Sequence, residues 1–362
     1  MSFSPNSSLE SLASRIALLP KAELHLHMEG AIEPATVVEL AARYGDATSE
    51  AEVAARYATR DFPAFLDAYK WVTSYLRAPA DYALVARRMA EQLLTHNVLY
   101  AEVTLSVGVM LLRKQDVVAN FRAIREAVAP FETPRELRPG LRLQWIFDAV
   151  RQFGPAPALE VARVAAELHS AESPNEGVVA FGMGGNELAI PTAEFRGVYQ
   201  FAADHGLRLL IHAGEIGEPD SVREAVTLLG VERIGHGIAA ARDADVMRML
   251  SEKSITLEIC PTSNLRTGAL ARQIGFTSPA LRDHSLPRLL RAGIPVTIST
   301  DDPAMFQTNL DREYAALIEM DLSAPEILRI AETSFAAAFL PPADKAALLQ
   351  SFRRQAEALR LL

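Results

Sequence analysis

Residues 207–237 read LRLLIHAGEIGEPDSVREAVTLLGVERIGHG. The stretch opens with an apolar run over 207–213 that ends in His212 and Ala213. A loop with Gly and Pro follows. DSVREAVTLLG then carries apolar residues at helical spacing and stops at Gly230, and a second short run, 232–236, ends in His236. This is a strand–helix–strand unit. Its first strand is nearly continuous in apolar residues, as expected for a parallel strand covered on both faces. Both strands place an imidazole at their C-terminal ends, where an α/β barrel collects its functional groups.

Reading outward, the same unit recurs. Strands are predicted at 22–27, 98–106, 141–150, 177–183, 207–213, 232–236, 255–260 and 294–300. Helical patterns lie between them. One runs between Pro34 and Gly45, one stops at Gly206, one covers ADVMRMLSEK, and one, SPALRDHSLPRLLRAG, leads into the last strand. Eight repeats predict a single α/β domain over 1–362, a (β/α)8 TIM barrel. An open doubly wound sheet is the alternative, weakened because no glycine-rich dinucleotide fingerprint follows strand 1. The segment of about residues 30–97 is too long for one crossover helix. It holds FPAFLDAYKWVTSYLRA and DYALVARRMAEQLLTH. It reads as a helical insertion that forms a lid or wall over the barrel mouth, or else as added packing.

The chain has 362 residues, 49% apolar and 22% charged, with a net charge of −9 and no long basic run. That excludes a nucleic-acid footprint. The single cysteine, Cys260, excludes an internal disulfide and a zinc site built on paired cysteines. No segment reaches the roughly 18–20 continuous apolar residues of a membrane span. Residues 1–20 lack the basic segment of a secretory signal. These features predict a cytoplasmic protein with small-molecule partners, no nucleic acid and no membrane, and leave its oligomeric state open.

Four strand ends carry ionisable groups: His25 and His27 on strand 1, His212 with Glu215 after strand 5, His236 on strand 6, and Asp301 with Asp302 after strand 8. Residues i and i+2 of a strand face the same way, so His25 and His27 can reach one ion together. His212 and Asp301 can complete the set. Three nitrogens and one carboxylate oxygen suit Zn2+, one per chain, with a position open for water. Glu215, three residues past His212, is free to face a substrate, and His236 to contact the water. A metal-activated water with an acid and an orienting imidazole suits hydrolytic attack on an electron-poor carbon. Alone, each feature is ordinary in a strand end or turn. Their coincidence at four ends of one barrel favours the site. His96 and His205 fall in last turns of helices, and His169 and His284 in polar contexts without a partner nearby in sequence.

The motifs KAELHLHMEG (21–30), GMGGNE (182–187), HAGE (212–215), RIGHG (233–237), CPTSN (260–264) and STDDP (299–303) resemble, in order and spacing, those of the adenosine deaminase family of the amidohydrolase superfamily. The resemblance implies an aminohydrolase acting on C–N bonds in cyclic amidines. His25, His27, His212 and Asp301 would be zinc ligands. Glu215 would protonate ring N1 and must therefore be neutral when substrate binds. His236 would orient and deprotonate the attacking water. Asp302 would contact N7 or the water, and the Gly185 backbone N3. Binuclear relatives usually add a lysine or glutamate at the end of strand 4, where this chain has Gly182-Met183-Gly184-Gly185, so one metal is implied. Adenosine deaminases usually carry Asp where this chain has Glu29, and the second strand here reads Glu102-Val103-Thr104-Leu105-Ser106. The combination is most similar to 6-aminodeoxyfutalosine deaminases of menaquinone biosynthesis, whose substrate carries a carboxyphenyl chain at the 5′ position. Arg151, Arg196 and Arg266 are candidates for its carboxylate partner. Adenosine is the next substrate, adenine or an N6-substituted adenine the third. A catalytically inactive binding barrel would lack a ligand or the acid, and none is missing.

Overall fold

A computed structural model describes residues 12–133, 140–169 and 177–361. Residues 1–11, on which part of the N-terminal reading falls, lie outside them. Eight strands follow the sequence expectation: β1 (Lys21–His27), β2 (Val98–Leu105), β3 (Arg142–Val150), β4 (Val178–Gly184), β5 (Arg208–Ala213), β6 (Arg233–His236), β7 (Thr256–Ile259) and β8 (Val296–Ile298). They pair in chain order, every adjacent pair parallel. A bridge between Leu26 and Asp301 brings the two edges together. The His27 N–H donates to Asp301 O at 2.8 Å, and the Asp301 N–H to His25 O at 3.0 Å. The barrel therefore closes on three of the residues singled out for chemistry, His25, His27 and Asp301.

Six strands are buried along their whole length, which explains their near-continuous apolar sequence. β8 is shorter than the predicted 294–300 for a physical reason: Thr300 gives its N–H to the Glu23 side-chain carboxylate at 2.9 Å, not to a neighbouring strand's backbone.

Between β1 and β2 lie α1 (Pro34–Arg43), α2 (Glu50–Tyr57), α3 (Phe62–Thr73) and α4 (Pro79–Thr95). α1 has Pro34 in its first turn, and Gly45 beyond its end takes φ +79°. Asp61 caps α3 by accepting from the Ala64 N–H at 2.8 Å. α4 packs on β2 and on the helix after it, so it is the barrel's own crossover helix. The added material is therefore α1–α3. Next in chain order come α5 (Val107–Leu112), α6 (Val117–Glu132), α7 (Pro155–Leu168), α8 (Arg196–Asp204), α9 (Pro219–Leu229) and α10 (Ala244–Glu252). After β7 the chain forms α11 (Pro261–Arg266) and α12 (Ala269–Ile274), which the sequence reading did not predict, and α13 (Leu286–Arg291), which fills only the end of the predicted 278–293 stretch; α14 (Pro303–Phe306) follows β8. Gly268 and Gly275, both with positive φ, bound α12, and six-residue helices are too short to show a period.

Candidate metal centre and active site

His25, His27 and His212 bring one nitrogen each within 4.8 Å of one another at the C-terminal rim. His25 Nε2 stands 3.3 Å and His27 Nε2 3.4 Å from the same oxygen, Asp301 Oδ1. Two ligands about 2.0–2.1 Å from one tetrahedral zinc ion would stand roughly 3.3 Å apart. The tautomer of His25 follows from its other nitrogen. Nδ1 lies 2.8 Å from Glu258 Oε2. Burial opposes charge on Glu258, but Arg233, with Nε 2.6 Å from Oε1, and His25 outweigh it and lower its pKa. An ionised Glu258 can only accept, so His25 Nδ1 carries a proton and Nε2 is turned to the cluster. Nε2 is buried, makes no well-formed hydrogen bond and faces the Asp301 carboxylate. Burial opposes charge on His25, but Asp301 and Glu258 outweigh it and raise it to about 10, so this place calls for a positive charge: a second proton on His25 or a cation that replaces it, and the donor set fits such a metal. Burial lowers His27 to about 4 and His212 well below the usual imidazole range, leaving both neutral as ligands must be.

The surroundings hold these groups in place. Ser263 donates to Asp301 Oδ2 at 2.6 Å. A Cβ on Gly235 would fall 2.6 Å from His25 Cε1, and one on Gly30 only 1.9 Å from Asp302 Oδ1. Both motif glycines are thus required for room. Cys260 also reaches His25 and Asp301, so sulfur is nearer than the sequence suggested. Burial raises its thiol well above the usual value, and it contacts Glu258 O, which keeps it protonated and a poor ligand.

Glu215 and His236 sit beside the cluster. Burial, then the neighbouring carboxylates of Asp301 and Glu187, raises Glu215 to about 8, so it holds a proton at neutral pH. Its loop is fixed by Glu187, whose two oxygens accept from the backbone N–H groups of Gly214, Glu215, Ile216 and Gly217 and from Ser221 Oγ. His236 Nε2 lies 3.7 Å from Glu215 Oε2 and 3.9 Å from Asp301 Oδ2. Burial, then Asp301, raises Asp302 well above the carboxylate range, and its Oδ1 is buried without a partner.

A cavity of about 790 Å³, counted out to its open mouth, lies over these groups. His27, His212, Glu215, His236, Asp301, Asp302 and Gly185 all line it, with Gly185 at φ +90°. His25 lies behind them. Phe62, Phe65, Leu66, Tyr69 and Lys70 of α3 form one wall, so the insertion shapes the site. Glu29 differs from expectation. It is buried, its carboxylate accepts from the Ser106 N–H at 3.0 Å and the Tyr69 hydroxyl at 3.3 Å, and it is not in the lining. Tyr69 and Ser106 line the cavity in front of it. Arg151, Arg196 and Arg266 do not line it either. Arg151 is buried and spent on Ile190 O and Thr192. Lys70 is the one lysine or arginine in the lining, among the described residues.

Sequence reading did not single out Glu187, Ser263, Asn264, Glu258, Asp148, Thr267 or His284. The first three lie inside quoted motifs. Asp148 and Glu258 are carboxylates inside apolar strands, which is a signal in itself. Asp148 lines the cavity and is raised to about 8 by burial.

A barrel with this cluster beside a protonated carboxylic acid is the working core of a metal-assisted hydrolase. The chain belongs to the adenosine deaminase family, whose model, described as adenosine deaminase, matches residues 20–355. It is 38% identical to an aminodeoxyfutalosine deaminase of Streptomyces avermitilis over 92% of this chain and 90% of that one. It is 34% identical to an adenine deaminase of Chelativorans sp. over 91% and 97%. The solved adenine deaminase of Arthrobacter aurescens aligns with a TM-score of 0.84 at 30% identity, covering 94% of this chain and 99% of that one. The protein is thus an aminohydrolase of that family.

Proposed function

We propose that the chain deaminates a 6-aminopurine carrying a nucleoside-type substituent, giving the 6-oxo product and ammonia. The observation that carries the ring chemistry is the buried Glu215 carboxyl, protonated at neutral pH beside the three clustered histidines and Asp301. His25, His27, His212 and Asp301 would hold one zinc ion, which would supply Lewis-acid activation of water. Glu215 gives its proton to ring N1, which makes C6 more electrophilic. His236 orients the attacking water. Asp302 and the Gly185 backbone hold the ring edge. Water oxygen adds at C6; one of its protons leaves with the amino group as ammonia when the C6–N bond breaks, and the other restores Glu215.

Among substrates, 6-aminodeoxyfutalosine is favoured. The apolar wall of α3 suits an aromatic 5′ substituent, and Lys70 near the mouth suits its carboxylate. Glu29, spent on Ser106 and Tyr69, is not offered to a ribose 5′-hydroxyl. Adenine is the second reading, favoured by the similarity to adenine deaminases. The test offers zinc-loaded protein 6-aminodeoxyfutalosine, adenosine, adenine and N6-methyladenine and follows ammonia. Turnover of the first at the highest kcat/KM is expected. Turnover of adenine alone would overturn the substrate reading, and turnover of none would overturn the deaminase reading.

A further inference from the structure

Two buried side chains behind His236 have no role in the chemistry above: Asn264 in α11 and His284 just before α13. The backbone N–H of Leu286 meets His284 Nδ1 at 3.0 Å. A backbone amide nitrogen can only donate, so Nδ1 accepts, and the single proton of this imidazole sits on Nε2. Burial lowers His284 to about 4, consistent with that neutral form. Nε2 lies 3.2 Å from Asn264 Oδ1. The N–H donates there, which fixes the way the amide points. The Asn264 NH2 group is then turned to His236 Nδ1, 3.0 Å away. An NH2 group can only donate, so His236 Nδ1 must accept. A flipped amide would set N–H against N–H at His284, and a proton on His236 Nδ1 would do the same at Asn264.

We infer that the chain Leu286–His284–Asn264 fixes His236 as the Nε2–H tautomer, so that His236 presents a hydrogen-bond donor, not a base, to the attacking oxygen. Asn264 and His284 are positioning residues that act through His236. The water's two protons pass to the departing amino group and back to Glu215, and His236 keeps its own. This refines the role expected from the family resemblance, in which His236 also deprotonates the water, and it rests on the deaminase reading only for its consequence in catalysis.

The tautomer is read directly from long-range 1H–15N correlation spectra of protein labelled at histidine with 15N, with and without zinc, the His236 signals being assigned by their loss in His236→Asn. The Nε2–H pattern is expected in both states. Asn264→Asp replaces the donor with an acceptor and should move the proton to Nδ1. The reference case of a histidine held in the wrong tautomer by its neighbour loses about 10⁴-fold in kcat. Asn264→Asp should therefore lose at least about 10²-fold in kcat while KM changes by less than about threefold and zinc content stays near one. His284→Leu should fall likewise, and His284→Gln, whose amide N–H can still reach Asn264 Oδ1, should recover most of the loss. An Nδ1–H pattern for wild-type His236, or wild-type kcat in Asn264→Asp, would overturn the inference. The spectra need no substrate. An Nε2–H pattern in a protein that deaminates no purine would leave the tautomer standing and remove the deaminase reading instead.

Discussion

At the residue scale, the site is a set of carboxyl groups sorted by surroundings. Asp301 faces three imidazoles and is held well below the usual range despite its burial. Glu215, buried beside the carboxylates of Asp301 and Glu187, is raised to about 8. The low one suits a metal ligand and the high one a general acid. His236 and Asp301 also take φ of +63° and +66°, a conformation that costs a non-glycine residue of order 1–3 kcal/mol and is tolerated where side chains must be aimed. Glu215→Gln keeps the shape and removes the proton. Its kcat should fall by about 10²–10⁴ while zinc measured by atomic absorption stays bound. Joint loss of zinc and activity would mean that Glu215 is a ligand. The sign of the pH effect follows from the same shift. The active form of Glu215 is the protonated one, so kcat/KM should decline as pH rises through about 8. A rate that climbs through this range would make Glu215 a base.

At the scale of elements, the loop after β5 has its backbone N–H groups held by Glu187, while Gln273 Nε2 donates to Glu215 O and Gly217 O at 2.8 Å and Ile216 packs into the core. Hydrogen bonds to a charged acceptor contribute more than neutral ones, about 1.5–3 kcal/mol each. Glu187→Gln turns one acceptor oxygen into a donor facing backbone N–H groups. Amide exchange over 214–217, read by mass spectrometry, should accelerate roughly 10- to 100-fold; unchanged protection would show that the loop is held otherwise. The same element marks what the sequence can and cannot convey. The eight strands were legible because burial on both faces writes a continuous apolar run. The ligands were legible because each follows such a run directly. Glu187 was not, since its partners lie 27–34 residues on and no local pattern links them. His284 read as isolated for the same reason: Asn264 is 20 residues away and meets it only once α11 and α13 are folded. Glu29 is a different case. The family resemblance suggested a substrate contact, and the fold places its carboxylate on the N–H of Ser106, just past β2.

At the scale of the whole molecule, closing the barrel and building the metal site are one event, because Asp301 pairs with β1 and offers its carboxylate to the β1 histidines. On the proposed reading, the ring chemistry belongs to the barrel and the discrimination among substrates to α3, whose residues line the cavity. α3 is anchored by Phe65 stacked on Phe306 of α14, with centroids 5.0 Å apart, and leaves Phe62, Leu66 and Lys70 toward the cavity. If the ring sits at the metal cluster, an aromatic acid at the 5′ end would extend to this wall, and a substrate without one would not. Phe62→Ala should then lower kcat/KM for 6-aminodeoxyfutalosine by roughly tenfold, the worth of a lost aromatic contact with its burial. Lys70 is largely exposed, so Lys70→Glu should lower it only a few-fold, and less at high salt. Neither change should alter turnover of adenine, if any is measured, by more than about twofold, since uniform loss would place the effect on the ring site. Equal losses for both substrates would mean that α3 supports the barrel mouth without reading what hangs from the ribose.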